Sequence, residues 1–411
     1  MTPAPPASLP HLRREPALEP VDAQAAASPR QATAQPPEGE STGAHSTAVI
    51  RESSIGATPA PPQDLFPELV RTVKQAGLLQ RRRGAYLGLF ALNGFLAALG
   101  VAAFVVLGSS WWQMLTAVFA GLVSTQLAFL GHDAGHRQIF GRKRPNDVVG
   151  YLHGCLVGMS FGAWVGKHNR HHAQPNHADG DPDIDIPVLA FSVDQVAGRR
   201  GLVRWTVAHQ AILFFPLLLL EGWSLHITSA QAALRGEVPR SRLELALLAV
   251  HAVGYLTALF LVLTPLQAIV FALVHQGVWG TYMGLAFAPN HKGMPIIEPG
   301  RRLDHLHKQV LTARNVRGGP VVDYVLGGLN HQVEHHLFPA MPRPNLRRAQ
   351  VLVAAFCAEH DLPYTRTGAL DSYGQVLRHL HAVGAPLRSS HRDMPRGRRH
   401  LVSCWSDFRA R

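Results

Sequence analysis

Histidine is the enriched residue of this chain, 24 in 411, and its spacing is more telling than its number. Three short stretches set imidazoles three or four residues apart: His132 and His136 in HDAGH, His168, His171 and His172 in HNRHH, and His335 and His336 in QVEHH. On a helix, residues so spaced share a face, with Cβ atoms about 5–6 Å apart. Neutral imidazole is the commonest metal-binding side chain, so each face offers part of a metal site. His291, after Asn290, is a further candidate, and Gln332, which opens the third stretch, is a ninth and weaker ligand. Eight imidazoles are too many for one zinc, which takes about four ligands. They suit two metal ions, and since imidazole accommodates Fe, Cu, Zn or Ni, spacing alone leaves the metal open. Asp133 and Glu334 inside the boxes, and Asp181 and Asp183 beyond them, are placed to accept the far N–H of ligating rings. His331 stands i,i+4 from His335 and is read as an ordinary polar neighbour, with replacement of Gln332 as the alternative.

The elements that must carry these faces read as membrane spans. The chain is 47% hydrophobic and 16% charged, against about 25% charged for a soluble domain. Residues 84–107 and 111–130 are uncharged and separated by Gly108-Ser109-Ser110; residues 245–263 and 266–288 repeat the pattern around Thr264-Pro265. Each matches the roughly 20 residues that cross a bilayer. Arg81–Arg83 precede the first pair and Arg137, Arg142, Lys143 and Arg144 follow it, while Lys292, Arg301 and Arg302 follow the second. The positive-inside rule then puts both bare turns outside and every histidine box, with both termini, on the cytoplasmic side. The expected fold is all-α: two transmembrane hairpins, four spans, under a cytoplasmic helical cap that holds the histidine site. An amphipathic helix is expected over residues 64–79. Residues 148–165 and 205–220 are apolar but ambiguous, and are read as interfacial or re-entrant. The first has glycine at every fourth position, from Gly150 through Gly154, Gly158 and Gly162 to Gly166. As a helix that is a small-residue stripe, read first as tight packing and alternatively as the lining of a narrow tunnel.

Residues 1–63 are Pro/Ala-rich and expected to be disordered; residues 386–411 form a basic tail, leaving 64–385 as the working domain. The net charge of +12 follows the membrane flanks, which argues against a nucleic-acid partner. Cys155, Cys357 and Cys404 lie far apart without a CxxC pair, so neither a disulfide framework nor a thiolate metal site is indicated. His251 and His275 fall inside spans, where a hydrogen bond to a neighbouring helix accounts for them.

HDAGH, HNRHH and QVEHH, set between hairpins, resemble the three histidine boxes of the integral-membrane fatty acid desaturases. The similarity covers roughly residues 84–352 and extends to NHADGDPDIDIP (176–187), FAPNHKGMP (287–295), QVLTARNV (309–316) and GGLNHQVEHHLFPAMPR (327–343). It implies two iron ions, O2 as co-substrate, and a cis double bond made in the chain of an acyl-CoA or acyl-lipid. Glutamine opening the third box resembles the front-end subgroup, in which the bond is placed on the carboxyl side, although some Δ9-type relatives share it. No HPGG motif of a fused cytochrome b5 is found, so the resemblance implies a separate ferredoxin or cytochrome b5-type donor with its NAD(P)H reductase. Two alternatives stand beside it: a histidine-box hydroxylase of an alkane, sterol or carotenoid, and a non-enzymatic metal-binding membrane protein. The second would want ionisable groups across the midplane, whereas these clusters lie beyond the span ends.

Overall fold

The computed structural model describes residues 64–389; the segments expected to be disordered (1–63) and most of the basic tail lie outside the described residues. The order is α1 (Phe66–Gln75), α2 (Arg83–Leu107), α3 (Gln113–Gly135), α4 (Lys143–Val157), α5 (Phe161–Ala173), α6 (Gly201–Ala208), α7 (Gln210–Leu218), α8 (Glu221–Leu234), α9 (Ser241–Val262), α10 (Pro265–His291), α11 (His305–Thr312), α12 (Pro320–Val325), α13 (Gln332–Leu337), α14 (Leu346–Glu359) and α15 (Ala369–Ser389). Two two-residue strands, β1 (Asn315–Val316) and β2 (Arg366–Thr367), pair in parallel. The last helix runs past the expected domain limit at 385.

Four helices, α2, α3, α9 and α10, are long and apolar enough to cross a membrane. At about 1.5 Å per residue, the 25 residues of α2 exceed the roughly 30 Å of a hydrocarbon core. Its outer face exposes Leu87, Phe95 and Val106, and that of α9 exposes Val253 and Leu261, as surfaces solvated by lipid do. The bare turns are built for sharp reversal. Thr264 and Gln267 form a capping box with Pro265 in the first turn of α10, and Gln113 donates to the carbonyls of Phe104 and Gly108. Ser109 Oγ donates to Gln267 Oε1 at 2.9 Å, so both turns lie at one end of the bundle. His132 and His291, at the other ends of α3 and α10, are thereby aimed the same way.

Small residues let the central helices close up. A Cβ at Gly121 would lie 2.9 Å from Val278, and one at Gly280 would lie 2.5 Å from the Gly222 backbone nitrogen, which joins α3 to α10 and α8 to α10. The two ambiguous blocks are bent pairs: α4 and α5 meet at 109°, α6 and α7 at 102°. The continuous glycine stripe is therefore not formed. Gly158 takes φ +69° and ends α4, and Ser160 caps α5 by accepting from Ala163 N at 3.1 Å. A Cβ at Gly150 or Gly154 would strike the Phe161 ring or the Met159 carbonyl, and one at Gly158 would strike His226 and His251. Packing is the reading the geometry supports at these three positions.

Beyond the histidine-bearing ends, α1, α11, α13 and α14 share one core, including Leu69, Val73, Leu306, Val310, Val333, Leu337, Met341 and Val353. The amphipathic α1 buries Leu69 and Val73 there. This cap is what places the third histidine box.

Candidate metal centre

Two clusters of imidazole nitrogens form beneath the cap. His132, His136, His168 and His335 place ligand atoms within 4.8 Å of one another, and so do His171, His291 and His336. His172 joins them: its Nε2 is 3.1 Å from His168 Nε2, and its ring stacks on His336 with centroids 4.1 Å apart. In the second cluster His291 Nε2 lies 3.3 Å from His171 Nε2 and 3.0 Å from His336 Nε2. Nitrogens about 2.0–2.1 Å from one metal ion stand at such separations. All eight expected imidazoles are therefore brought together, from α3, α5, α10 and α13. The arrangement also shows that α4 and α5 return to the side they left, because α4 begins just after His136 and α5 ends beside it.

The chemistry of the donors fits a metal. His132 Nε2, His136 Nε2, His172 Nδ1 and both nitrogens of His335 are buried without a hydrogen-bond partner, an arrangement that costs free energy unless something binds there. Burial first, then neighbouring histidines, lower the pKa values of His136, His335 and His336 well below the ordinary value. The rings are neutral, the form that ligates.

Partners on the far nitrogens set the rings. His171 Nδ1 sits 2.9 Å from Asp181 Oδ1, and Asp181 also accepts from the backbone of Asn176 and Asp183. Burial raises the Asp181 pKa, yet the His171 contact leaves it lowered overall. His132 Nδ1 is 3.3 Å from Asp133 Oδ1, and Asp133 is paired with Arg343 at 2.6 Å. His291 Nδ1 lies 2.9 Å from the Thr312 carbonyl and His336 Nδ1 2.9 Å from Gln309 Oε1. Gln332 reaches the second cluster: its amide nitrogen is 2.9 Å from His291 Nε2 and its oxygen accepts from Asn290.

Two expectations change. Glu334 accepts from Asn315 and Tyr364 and from none of the ligating rings, because side chains of a short helix that face the metals and the cap point in opposite directions. Asp183 lies 3.6 Å from His171 but pairs with Lys167 at 2.9 Å; burial pushes its pKa up and the Lys167 charge leaves it lowered. His331 turns to Asp323, 3.0 Å away, and so stays outside the cluster. His275 bonds Tyr255 and Ser124, while His251 stacks between Tyr255 and His226; neither joins the site. Gln309, Thr312, Arg343, Asn315 and Tyr364 were not anticipated as supports. Three of these, Gln309, Arg343 and Tyr364, act from more than 25 residues away, and Thr312 acts through its backbone.

From His132 a narrow apolar crevice follows one face of α4, lined by Gly150, His153, Gly154 and Val157 and closed by Ala128, Met159, Phe161, Trp164, Met283 and Phe287. Its volume is about 30 Å³.

Histidine clusters at the common end of four apolar helices define a multi-pass membrane protein with a metal-binding centre. The fatty acid desaturase family model matches residues 109–368. The chain is 32% identical over 299 residues to an acyl-lipid (9-3)-desaturase of Physcomitrium patens, covering 68% of this chain and 56% of the moss protein. It is 30% identical to a Delta(8)-fatty-acid desaturase of Euglena gracilis, over 69% of this chain and 70% of that one. With the Delta(6)-fatty-acid desaturase fat-3 of Caenorhabditis elegans it shares 30% identity over 66% of this chain and 64% of the relative. The chain belongs to the fatty acid desaturase family, a family of oxidoreductases.

Proposed function

We propose that this chain is an O2-dependent fatty acyl desaturase that sets a cis double bond in the chain of an acyl-CoA or acyl-lipid. The overall change is –CH2–CH2– plus O2, two electrons and two protons to –CH=CH– plus two waters. The observation that carries it is the meeting of eight imidazoles, in two adjoining clusters, with the end of an apolar crevice at His132. Two iron ions held by His132, His136, His168 and His335, and by His171, His291 and His336 with Gln332, would supply the oxidising power that no side chain has; His172 stands between them. The protein's share is binding, orientation and electrostatics. Asp133, Asp181, Gln309 and the Thr312 carbonyl hold four rings so that the opposite nitrogen faces inward. Phe129, Phe161, Trp164 and Phe287 exclude water from the crevice. The crevice is narrow, about 30 Å³, so a chain enters by moving side chains, and Met159 and Met283, with unbranched thioethers, re-pack at little cost.

The boxes and both termini stand on the cytoplasmic side in this reading, supported by the basic flanks. Residues 64–385 are the catalytic domain, between a Pro/Ala-rich segment and a basic tail. Electrons come from a separate ferredoxin or cytochrome b5-type protein and its NAD(P)H reductase, for which the exposed cap residues Arg301, Arg302 and Arg317 offer a docking charge. Gln332 and the names of the relatives favour insertion on the carboxyl side. Total fatty-acid analysis of cells expressing the chain, with the new bond located by mass spectrometry, tests the reading. Hydroxylated products in place of unsaturated ones would move the chain to the hydroxylase alternative, and an unchanged profile in the presence of a competent donor would sink it.

A further inference from the structure

His335 differs from the other imidazoles of the centre. Both of its ring nitrogens are buried, and among the described residues neither has a partner. By contrast His132 is set by Asp133, His171 by Asp181, His291 by Thr312 and His336 by Gln309. His136, His168 and His172 show no partner outside the cluster among the described residues, but they ride on or beside helices of 23 and 13 residues. A ligating histidine is ordinarily oriented through its far nitrogen, so the placement of His335 has to come through the backbone beneath it. That backbone is α13, six residues long, whose N-cap His331 makes no side-chain cap. A helix under two turns does not hold itself in place, since nucleation is costly and its first N–H groups are unpaired.

A closed ring of three side chains provides the hold. Asn315 Oδ1 accepts from Val333 N at 2.9 Å, taking the role of the missing cap from another element. Asn315 Nδ2 donates to Glu334 Oε2 at 2.7 Å and to Tyr364 Oη at 2.6 Å. Tyr364 Oη donates in turn to Glu334 Oε1 at 2.6 Å. Asn315 and Glu334 are fully buried, and the pairing of β1 with β2, Asn315 beside Arg366, fixes the two strands that carry or flank the ring. Glu334 immediately precedes His335, so the ring pins the backbone at the point where that imidazole leaves it.

We infer that Glu334, Asn315 and Tyr364 are positioning residues for His335, and that they set the four-histidine half of the metal centre while Gln309 sets His336 in the other half. The inference rests on the two-metal reading above and concerns placement alone.

The test uses the full chain in detergent, stripped of metal and titrated with Co(II), whose visible absorption reports ligand number and geometry at each site. His132→Ala and His291→Ala supply the reference spectra for loss of one half or the other. Tyr364→Phe is expected to weaken cobalt binding about tenfold to a hundredfold at the site that His132→Ala removes, leaving the remaining site at its wild-type affinity and spectrum. Two sites that titrate as in wild type, or two that weaken equally, would overturn the inference, the second outcome meaning that the ring holds the cap as a whole. If Tyr364→Phe is not recovered folded, Glu334→Gln, which retains one acceptor for the tyrosine, is judged by the same criteria. Wild-type protein that binds fewer than two cobalt ions would overturn the two-metal reading itself, and the inference with it.

Discussion

His132 and His335 meet with ring centroids 4.8 Å apart, yet they are held there by opposite means. His132 rides on the last turn of a 23-residue span wedged against α10, and Asp133 backed by Arg343 steadies its ring. His335 rides on a six-residue helix that packing alone would not fix, steadied by polar contacts behind it. The contrast separates two ways of building one site. Long apolar helices deliver histidines by rigidity, and short polar segments deliver them by hydrogen bonds from elsewhere in the chain. Damage to the first kind should show as lost stability, and damage to the second as lost metal.

The largest effects remove a ligand outright. His171→Ala and His335→Ala are expected to abolish turnover and to lower metal content, while both proteins remain inserted in the membrane; turnover near wild type in either would exclude that residue as a ligand. Next comes the ion pair on the span side. Asp133 and Arg343 are both buried, and removing one partner leaves an uncompensated charge, at about 3–5 kcal/mol. Arg343→Ala should therefore lower the melting temperature of the detergent-solubilised protein more than Tyr364→Phe does. The reverse order would break the comparison.

Acid sharpens it from a third direction. Burial pushes the Asp323 carboxyl up, but hydrogen bonds from His331, Asn330 and Arg347 hold its pKa down at about 2. A carboxylate lowered in the fold contributes stability that is complete above its unfolded value of about 4, and that is lost as the pH falls from there through about 2. Asp323→Asn should flatten the acid side of the thermal stability curve; a curve as steep as wild type would show that the clamp on α12 and α13 contributes little. The smallest effect is at the crevice. A Cβ at Gly131 meets only His153 Cβ, at the ordinary contact distance of 3.4 Å, so Gly131→Ala should keep the metals and shift chain-length preference modestly. Gly158→Leu, which the sequence made the natural variant for that purpose, should instead misfold, because φ there is +69°. Sidedness has its own check. Cysteines at the exposed positions Ser109 and Asp179 should label from opposite faces of intact cells, whereas Asn176, buried against Asp181, is unsuitable for a label.

The histidine clusters were legible because each box is local. Spacings of three and four residues put imidazoles on one helical face whatever the tertiary fold, and the uncharged runs between them are long enough to be spans. The bend at Gly158 was not legible: a four-residue glycine period looks the same along a straight helix and across a turn. Nor was the orientation of Glu334, since facing the metal and facing the cap differ by one position on a helix whose phase the sequence leaves free. Gln309 and Asn315 lay within QVLTARNV, a stretch notable for its likeness to the family, but nothing in their spacing from the boxes pointed to His336 or Val333.

The return of α4 at Gly158 also has a consequence for length. Fifteen residues at about 1.5 Å each give a segment roughly 22 Å deep. The crevice runs along its Gly150–Val157 face, and at its tip the Gly158 carbonyl is engaged by His226 at 2.8 Å. The depth of that face, from the start of α4 to its bend, is therefore set by residue count. Inserting or deleting one turn of α4 would move the bend by about 5.4 Å and is expected to shift the preferred chain length.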